Sequence, residues 1–222
     1  MKKRLQSILI VIFLILLSGC TGNERINEKE YLKAKLDLIF QGDSRHAAQV
    51  IGGKTAGEFA QQYEELIHNF VANNITDEAE VTDKQFYEFG IVCKEIFRSM
   101  RYEVLSSEEL EKNEFSISVR VRPVDVFLKF IDSVQEEARV LQEKAERGEY
   151  EGEREEIEEK MREEFIVRAH ILWEEAYKTM EYSEDEILVM TVKKDRKNQY
   201  QITDEQIQNM LEKILRLDEI MQ

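Results

Sequence analysis

The chain has 222 residues, with 31 Lys and Arg against 46 Asp and Glu, a formal charge of −15; 42% of its residues are hydrophobic and 35% are charged. That length and apolar content support a buried core and exclude a disordered chain. The acidic balance excludes a basic nucleic-acid-binding face, and two cysteines exclude a disulfide scaffold.

The first segment carries Lys2, Lys3 and Arg4, an unbroken apolar run from Ile8 to Leu17, and then Ser18-Gly19-Cys20. A helix of that run spans ~15 Å, half of a ~30 Å hydrocarbon core, so the pattern predicts a secretory signal over residues 1–19 and not a membrane span. Leu17-Ser18-Gly19-Cys20 resembles the lipobox of bacterial lipoproteins. The resemblance implies a diacylglyceryl group on the Cys20 thiol, cleavage before Cys20, and a lipid anchor on the extracytoplasmic face of the cell membrane. Small Ser18 and Gly19 suit the approach of a peptidase, and Cys supplies the thiol. Loss of Lys2, Lys3 and Arg4 leaves 28 basic against 46 acidic residues over 203 positions, a net charge of −18. Residues 20–26 form the lipidated tether, with a reach of at most ~25 Å to Asn27. A single extracytoplasmic α+β domain is expected over residues 27–222.

Asn27 and Glu30 cap a first helix that runs to Gln41, burying Tyr31, Leu32, Leu36, Ile39 and Phe40, and Gly42 closes it. A short helix is expected over residues 43–51. Thr55/Glu58 begins a third helix, with Phe59, Tyr63, Leu66, Ile67 and Phe70 on one face. Thr82/Gln85 begins a fourth, with Phe86, Phe89, Cys93, Ile96, Phe97 and Met100. Two strands follow, Tyr102–Leu105 and Phe115–Val121, joined by a charged turn around Glu109–Asn113. Pro123 ends the second strand and suits the first turn of the next helix. Phe127, Ile131, Val134, Ala138, Leu141 and Ala145 make one helical stripe; Ile157, Met161, Phe165, Ala169, Leu172 and Ala176 make another. Gly148 and Gly152 bracket the turn between them. This pair reads as a long antiparallel helical hairpin. Its distal part, 136–164, holds 13 acidic and 6 basic residues in 29 and should project into solvent. Ile187–Val192 is apolar on both faces and reads as a central strand, followed by a turn at Lys193–Asn198 and a short strand at Tyr200–Ile202. Thr203 caps a last helix with Ile207, Met210, Leu211, Ile214 and Leu217 on its stripe. The expected fold is α+β: a small antiparallel sheet of about four strands in two hairpins, packed by helices, with the long hairpin protruding.

Candidate sites are few. Gly53-Lys54-Thr55 looks like the end of a phosphate loop, but Ala48 stands where its first glycine belongs and no strand precedes it. Thr55 is better read as a helix cap. His46, His68 and His170 share no metal-ligand spacing, which argues against a zinc site. His68 is expected in a surface pair with Glu64, and His170 in a partly buried setting beside Trp173 and Tyr177. Cys93 falls within an apolar stripe, where a buried, inert thiol is the default. The glutamates are too many to single out an acid/base pair, and no calcium-loop spacing is present. One patch runs against the acidic field: Lys193, Lys194, Arg196 and Lys197 in the final hairpin turn. With Arg120 and Arg122 expected nearby, they offer contact to an anionic surface, either lipid head groups or an envelope polymer; otherwise the segment is a polar turn.

Tyr31-Leu32-Lys33-Ala34 leading to Gln41-Gly42-Asp43, and Tyr102-Glu103-Val104 followed by Phe115–Val121 and Pro123-Val124-Asp125, resemble the lipoproteins of Gram-positive bacteria whose ectodomain is a domain of unknown function. The resemblance implies an extracytoplasmic α+β domain similar to the cystatin-like or nuclear-transport-factor-like class, and it supplies no functional residue. The sequence thus predicts a non-enzymatic, membrane-anchored binding module without a cofactor. Its partners would be the membrane through Cys20 and a protein or small ligand, the protein met through the helical hairpin. The alternatives are a solute receptor associated with a transporter, for which the chain is short, and an envelope hydrolase, for which it lacks a nucleophile or metal motif.

Overall fold

The computed structural model describes residues 26–76 and 80–220; the signal segment, Cys20 and the tether up to residue 25 lie outside the described residues. Helix α1 (Glu28–Gln41) starts at Asn27, whose side chain accepts the Glu30 N–H at 2.9 Å. It ends at Gly42, where φ is 67° and a Cβ would stand 2.8 Å from the Tyr63 ring, so glycine is required twice over. Helix α2 (Ser44–Val50) packs on α1, and α3 (Ala56–Asn74) and α4 (Asp83–Ser99) follow. Thr55/Glu58 and Thr82/Gln85 form the two capping boxes that their spacing predicts.

The sheet comprises β1 (Arg101–Glu111), β2 (Glu114–Arg122), β3 (Glu186–Lys194) and β4 (Tyr200–Gln201), in that order and antiparallel throughout. Helices α5 (Val126–Glu146) and α6 (Arg154–Thr179) form the antiparallel hairpin between β2 and β3, and α7 (Asp204–Ile214) and α8 (Leu217–Ile220) close the described chain. The architecture is therefore α+β.

Helix α1 packs on the inner face of the sheet, and its first turn reaches β1, where Lys29 Nζ donates to the Leu105 carbonyl at 2.6 Å. Tyr31 meets Tyr200 on β4 at 5.7 Å between ring centroids, and Phe40 meets Tyr102 on β1 at 5.0 Å. With α2, α3, α4 and β1 around it, α1 buries not one stripe but almost its whole circumference, Lys35 and Asp37 included. Ile117, Val119 and Val121 of β2 and Met190 and Val192 of β3 point into the same core.

The structure corrects several expectations. Strand β1 runs six residues past Leu105, through Glu108, Glu109 and Glu111, with irregularities at Val104/Ser107 and Glu109/Glu111. An edge strand tolerates such charges because its neighbour supplies the hydrogen-bonded ladder. The turn is accordingly short, centred on Lys112 and on Asn113 at φ 68°. Strand β3 does lie inside the sheet, but only one of its faces is buried: Ile187 and Val189 are 54% and 65% exposed on the outer face. Pro123 is not in the first turn of α5. It accepts the Ser183 N–H at 2.8 Å beside a Val124–Tyr182 bridge, and the helix begins three residues later. Ala138 is exposed. The last helix breaks at Arg216, where φ is 54°, so that Leu215 takes the buried place expected of Leu217.

Candidate functional site

The β3–β4 turn holds the cations that the sequence singles out. Asp195 folds back to build it: Oδ1 accepts the backbone N–H of Lys197 at 2.7 Å and of Gln199 at 2.9 Å, and Oδ2 takes the Gln201 amide at 3.3 Å. The turn's one acid is thereby spent on the backbone, and Arg196 and Lys197 are left exposed. Lys193 pairs with Glu114 at 3.1 Å, and Lys194 lies over the Tyr200 ring at 5.0 Å. Register adds a cation that linear reading missed. The Lys194 N–H donates to the Asn113 carbonyl at 2.7 Å, which brings Lys112 of the neighbouring turn to the same end of the sheet. Pairing the two hairpin tips would have exposed this signal. Arg120 and Arg122, by contrast, are not nearby. Arg120 is six residues up β2 from Glu114, ~20 Å away, where Arg120 binds Glu103 at 2.8 Å and Arg122 binds Asp185 at 2.7 Å.

The helical hairpin is the second feature with a functional shape. At its base, Trp173 packs between Phe127 and Phe130 at 5.0 and 4.8 Å, and Phe127 reaches Phe70 on α3 at 5.7 Å. His170 meets Phe89 on α4 at 5.2 Å, in the partly buried setting expected of it. Beyond the base the arm has a seam of its own: Leu141 is 2% exposed yet stands apart from the main core cluster. Lys144 and the Tyr150 hydroxyl both reach Glu164, at 2.6 and 2.7 Å, and Arg168 reaches Glu137 at 3.3 Å. The Lys144 bond, joined by that of Tyr150, holds the Glu164 carboxyl below the usual range. A shallow groove of about 560 Å³ between the two helices is lined by Lys129, Asp132, Ser133, Glu175, Lys178 and Thr179.

Two buried polar groups on α1 escaped sequence reasoning, because the elements that enclose them are distant in the chain. The Asp37 carboxylate accepts the Tyr102 hydroxyl at 2.7 Å and the Lys33 ammonium at 2.5 Å, and His46 Nδ1 lies 3.2 Å from it. Burial pushes the Tyr102 phenol up, and the Asp37 bond adds to the rise. Lys35 is 6% exposed, 6.0 Å from the Tyr31 ring centroid. Burial pushes its ammonium down to about 8, against the pull of Asp204 and with a further push from Lys54.

The other sequence candidates have structural roles. Thr55 caps α3, and Gly52 and Gly53 supply a left-handed turn before it. Cys93 is fully buried, which pushes its thiol far up and leaves it un-nucleophilic. His68 packs against Phe86 at 4.8 Å. Among the described residues no group of three His, Cys, Asp or Glu is placed to hold a metal ion, and no helix is long and apolar enough to cross a membrane.

Fold and sites together define an α+β domain: an open antiparallel sheet packed on one face, a protruding helical arm and a cationic turn at one end of the sheet. The chain is similar in fold to YcdA, a candidate lipoprotein of Bacillus subtilis known from a crystal structure, with a TM-score of 0.55 and 15% sequence identity over 84% of this chain and 55% of that one. It thus spans about half the length of that protein, and at this identity the likeness is one of fold. No family model matches the sequence, and no curated protein matches it.

Proposed function

We propose that the chain is a non-catalytic binding module on the extracytoplasmic face of the cell membrane, anchored through lipid on Cys20 and meeting a protein partner through the α5–α6 arm. The observation that carries the reading is the build of the arm. Leu141 is buried outside the main core, and Lys144–Glu164 and Arg168–Glu137 tie the two helices together across the seam. Such a projection is pre-organised, so a partner binding along it loses little conformational freedom. The sequence pattern before Cys20 supports the anchor, and the fold likeness to a candidate lipoprotein agrees with it.

Replacing residues 143–160 with a short turn tests the arm. Cross-linking of the full chain in native membranes should yield a partner adduct that the shortened chain loses while it keeps its far-UV circular dichroism. An adduct of equal yield from the shortened chain would rule out the arm.

A further inference from the structure

We propose that the paired turns at one end of the sheet rest on the anionic lipid head groups of the bilayer that holds the anchor, so that the domain stands on the membrane in one orientation. The inference rests on the Cys20 anchor and adds to it the surface that touches lipid.

The tether places that end near the bilayer. Ile26 packs against the core, and the first turn of α1 lies beside Tyr200, with Tyr31 in ring contact at 5.7 Å between centroids. Tyr200 pairs with Lys194, next to the β3–β4 turn. From Cys20 to Ile26 there are six residue steps, a reach of at most ~22 Å. The end that carries the cationic turn is therefore the end the anchor holds close.

Charge is graded along the strands at that end. Arg196 and Lys197 lie outermost, exposed, and among the described residues neither has an ion-pair partner. Lys194 and Lys112 follow at the level of Asn113. Against these four cations stand Asp195, turned onto the backbone, and Glu28. The next acids, Glu111 and Glu114, are one residue further in, ~3.4 Å, and Lys193 pairs with Glu114. A Debye length of ~8 Å at physiological salt takes in the Glu111/Glu114 level as well, so five cations (Lys112, Lys193, Lys194, Arg196 and Lys197) stand against four acids, and the excess positive charge lies at the Arg196/Lys197 tip. A chain that is strongly acidic as a whole therefore presents a net cationic end to the bilayer. Acyl chains hold the protein there; the turns set its orientation.

The full chain, purified in its lipidated form, tests this in vesicles of phosphatidylglycerol and of phosphatidylcholine. Leu110→Cys, a neutral change at a 56% exposed position on the hairpin tip, accepts an environment-sensitive dye, because Cys93 is buried and Cys20 is acylated. The dye emission should shift to the blue in phosphatidylglycerol and not in phosphatidylcholine, and 0.5 M salt should reverse the shift. Arg196→Gln with Lys197→Gln should lower the docked-to-free ratio about thirtyfold, at ~1 kcal/mol for each cation near the surface. Equal emission from protein bound to both kinds of vesicle would overturn the docking and leave the anchor standing. Protein that washes off both would overturn the anchor and the docking together. A response to soluble polyglycerol phosphate without one to vesicles would assign the turns to an anionic polymer and overturn contact with lipid.

Discussion

Lys35 should make the protein more stable as the pH rises through the range in which most proteins begin to weaken. Its ammonium is 6% exposed and falls from the ordinary 10.5 to about 8. Burial is the first cause, and Asp204 only partly offsets it. Because the folded-state value is lowered, the unfolded chain binds this proton more tightly, and stability rises with pH between the two values. Below pH 8 the group costs the fold ~3 kcal/mol, and by pH 9.5 about 1 kcal/mol of that remains. Tyr31 and Tyr102 act in the opposite sense nearer pH 10, since burial holds both phenols neutral in the fold. Lys35→Met isolates the effect, because the tyrosines are common to both proteins. Urea unfolding followed by the fluorescence of Trp173, the chain's one tryptophan and fully buried, reads the stability. At pH 7 the variant should exceed the parent, and its advantage should shrink by about 2 kcal/mol on going to pH 9.5. Asp204→Asn should deepen the parent's penalty by removing the one compensating charge. A difference between parent and Lys35→Met that stays constant across this range would refute the reasoning, since it would mean that Lys35 keeps an ordinary, solvated ammonium.

Three other outcomes follow from the same structure. Tyr102→Phe removes one of the donors to the buried Asp37 carboxylate and should cost ~1–2 kcal/mol in urea unfolding; a neutral effect would mean that the bond is not made in solution. Leu141→Ala should cost ~2–3 kcal/mol within the arm, visible as faster amide exchange over residues 136–164 with residues 28–41 unchanged, whereas uniform acceleration would join the arm to the main core. Cys93 should resist an aromatic disulfide reagent at pH 8 in the native protein and react fully in urea, because burial pushes its thiol far up; rapid native labelling would contradict that burial.

Local signals carried further than long-range ones. The boxes at Thr55/Glu58 and Thr82/Gln85 were legible because a cap involves residues three apart, and the Phe115–Val121 alternation marked the inward face of β2 without ambiguity. The second half of β1 was not legible, since Ser106–Glu111 has no apolar alternation and owes its strand geometry to pairing with β2. Nor was the break at Arg216, which neither glycine nor proline announces. The outer face of β3 misled for a different reason. Ile187 and Val189 look like core residues, yet among the described residues no element covers that face of the sheet, and both remain exposed. For the candidate site, the cations of the β3–β4 turn could be read directly, whereas the arrival of Lys112 beside them and the departure of Arg120 and Arg122 depended on sheet register. The burial of Lys35 and Asp37 depended on four elements closing around α1.

The anchor is the claim on which the rest stands, and intact-mass and peptide mass spectrometry of protein extracted from the membrane tests it most directly. The account predicts a chain that begins at Cys20, carries a diacylglyceryl group on that thiol, and is missing from the membrane fraction when Cys20 is changed to Ser. A chain that retains Met1, or one cut to expose an unmodified Cys20 thiol, would contradict it.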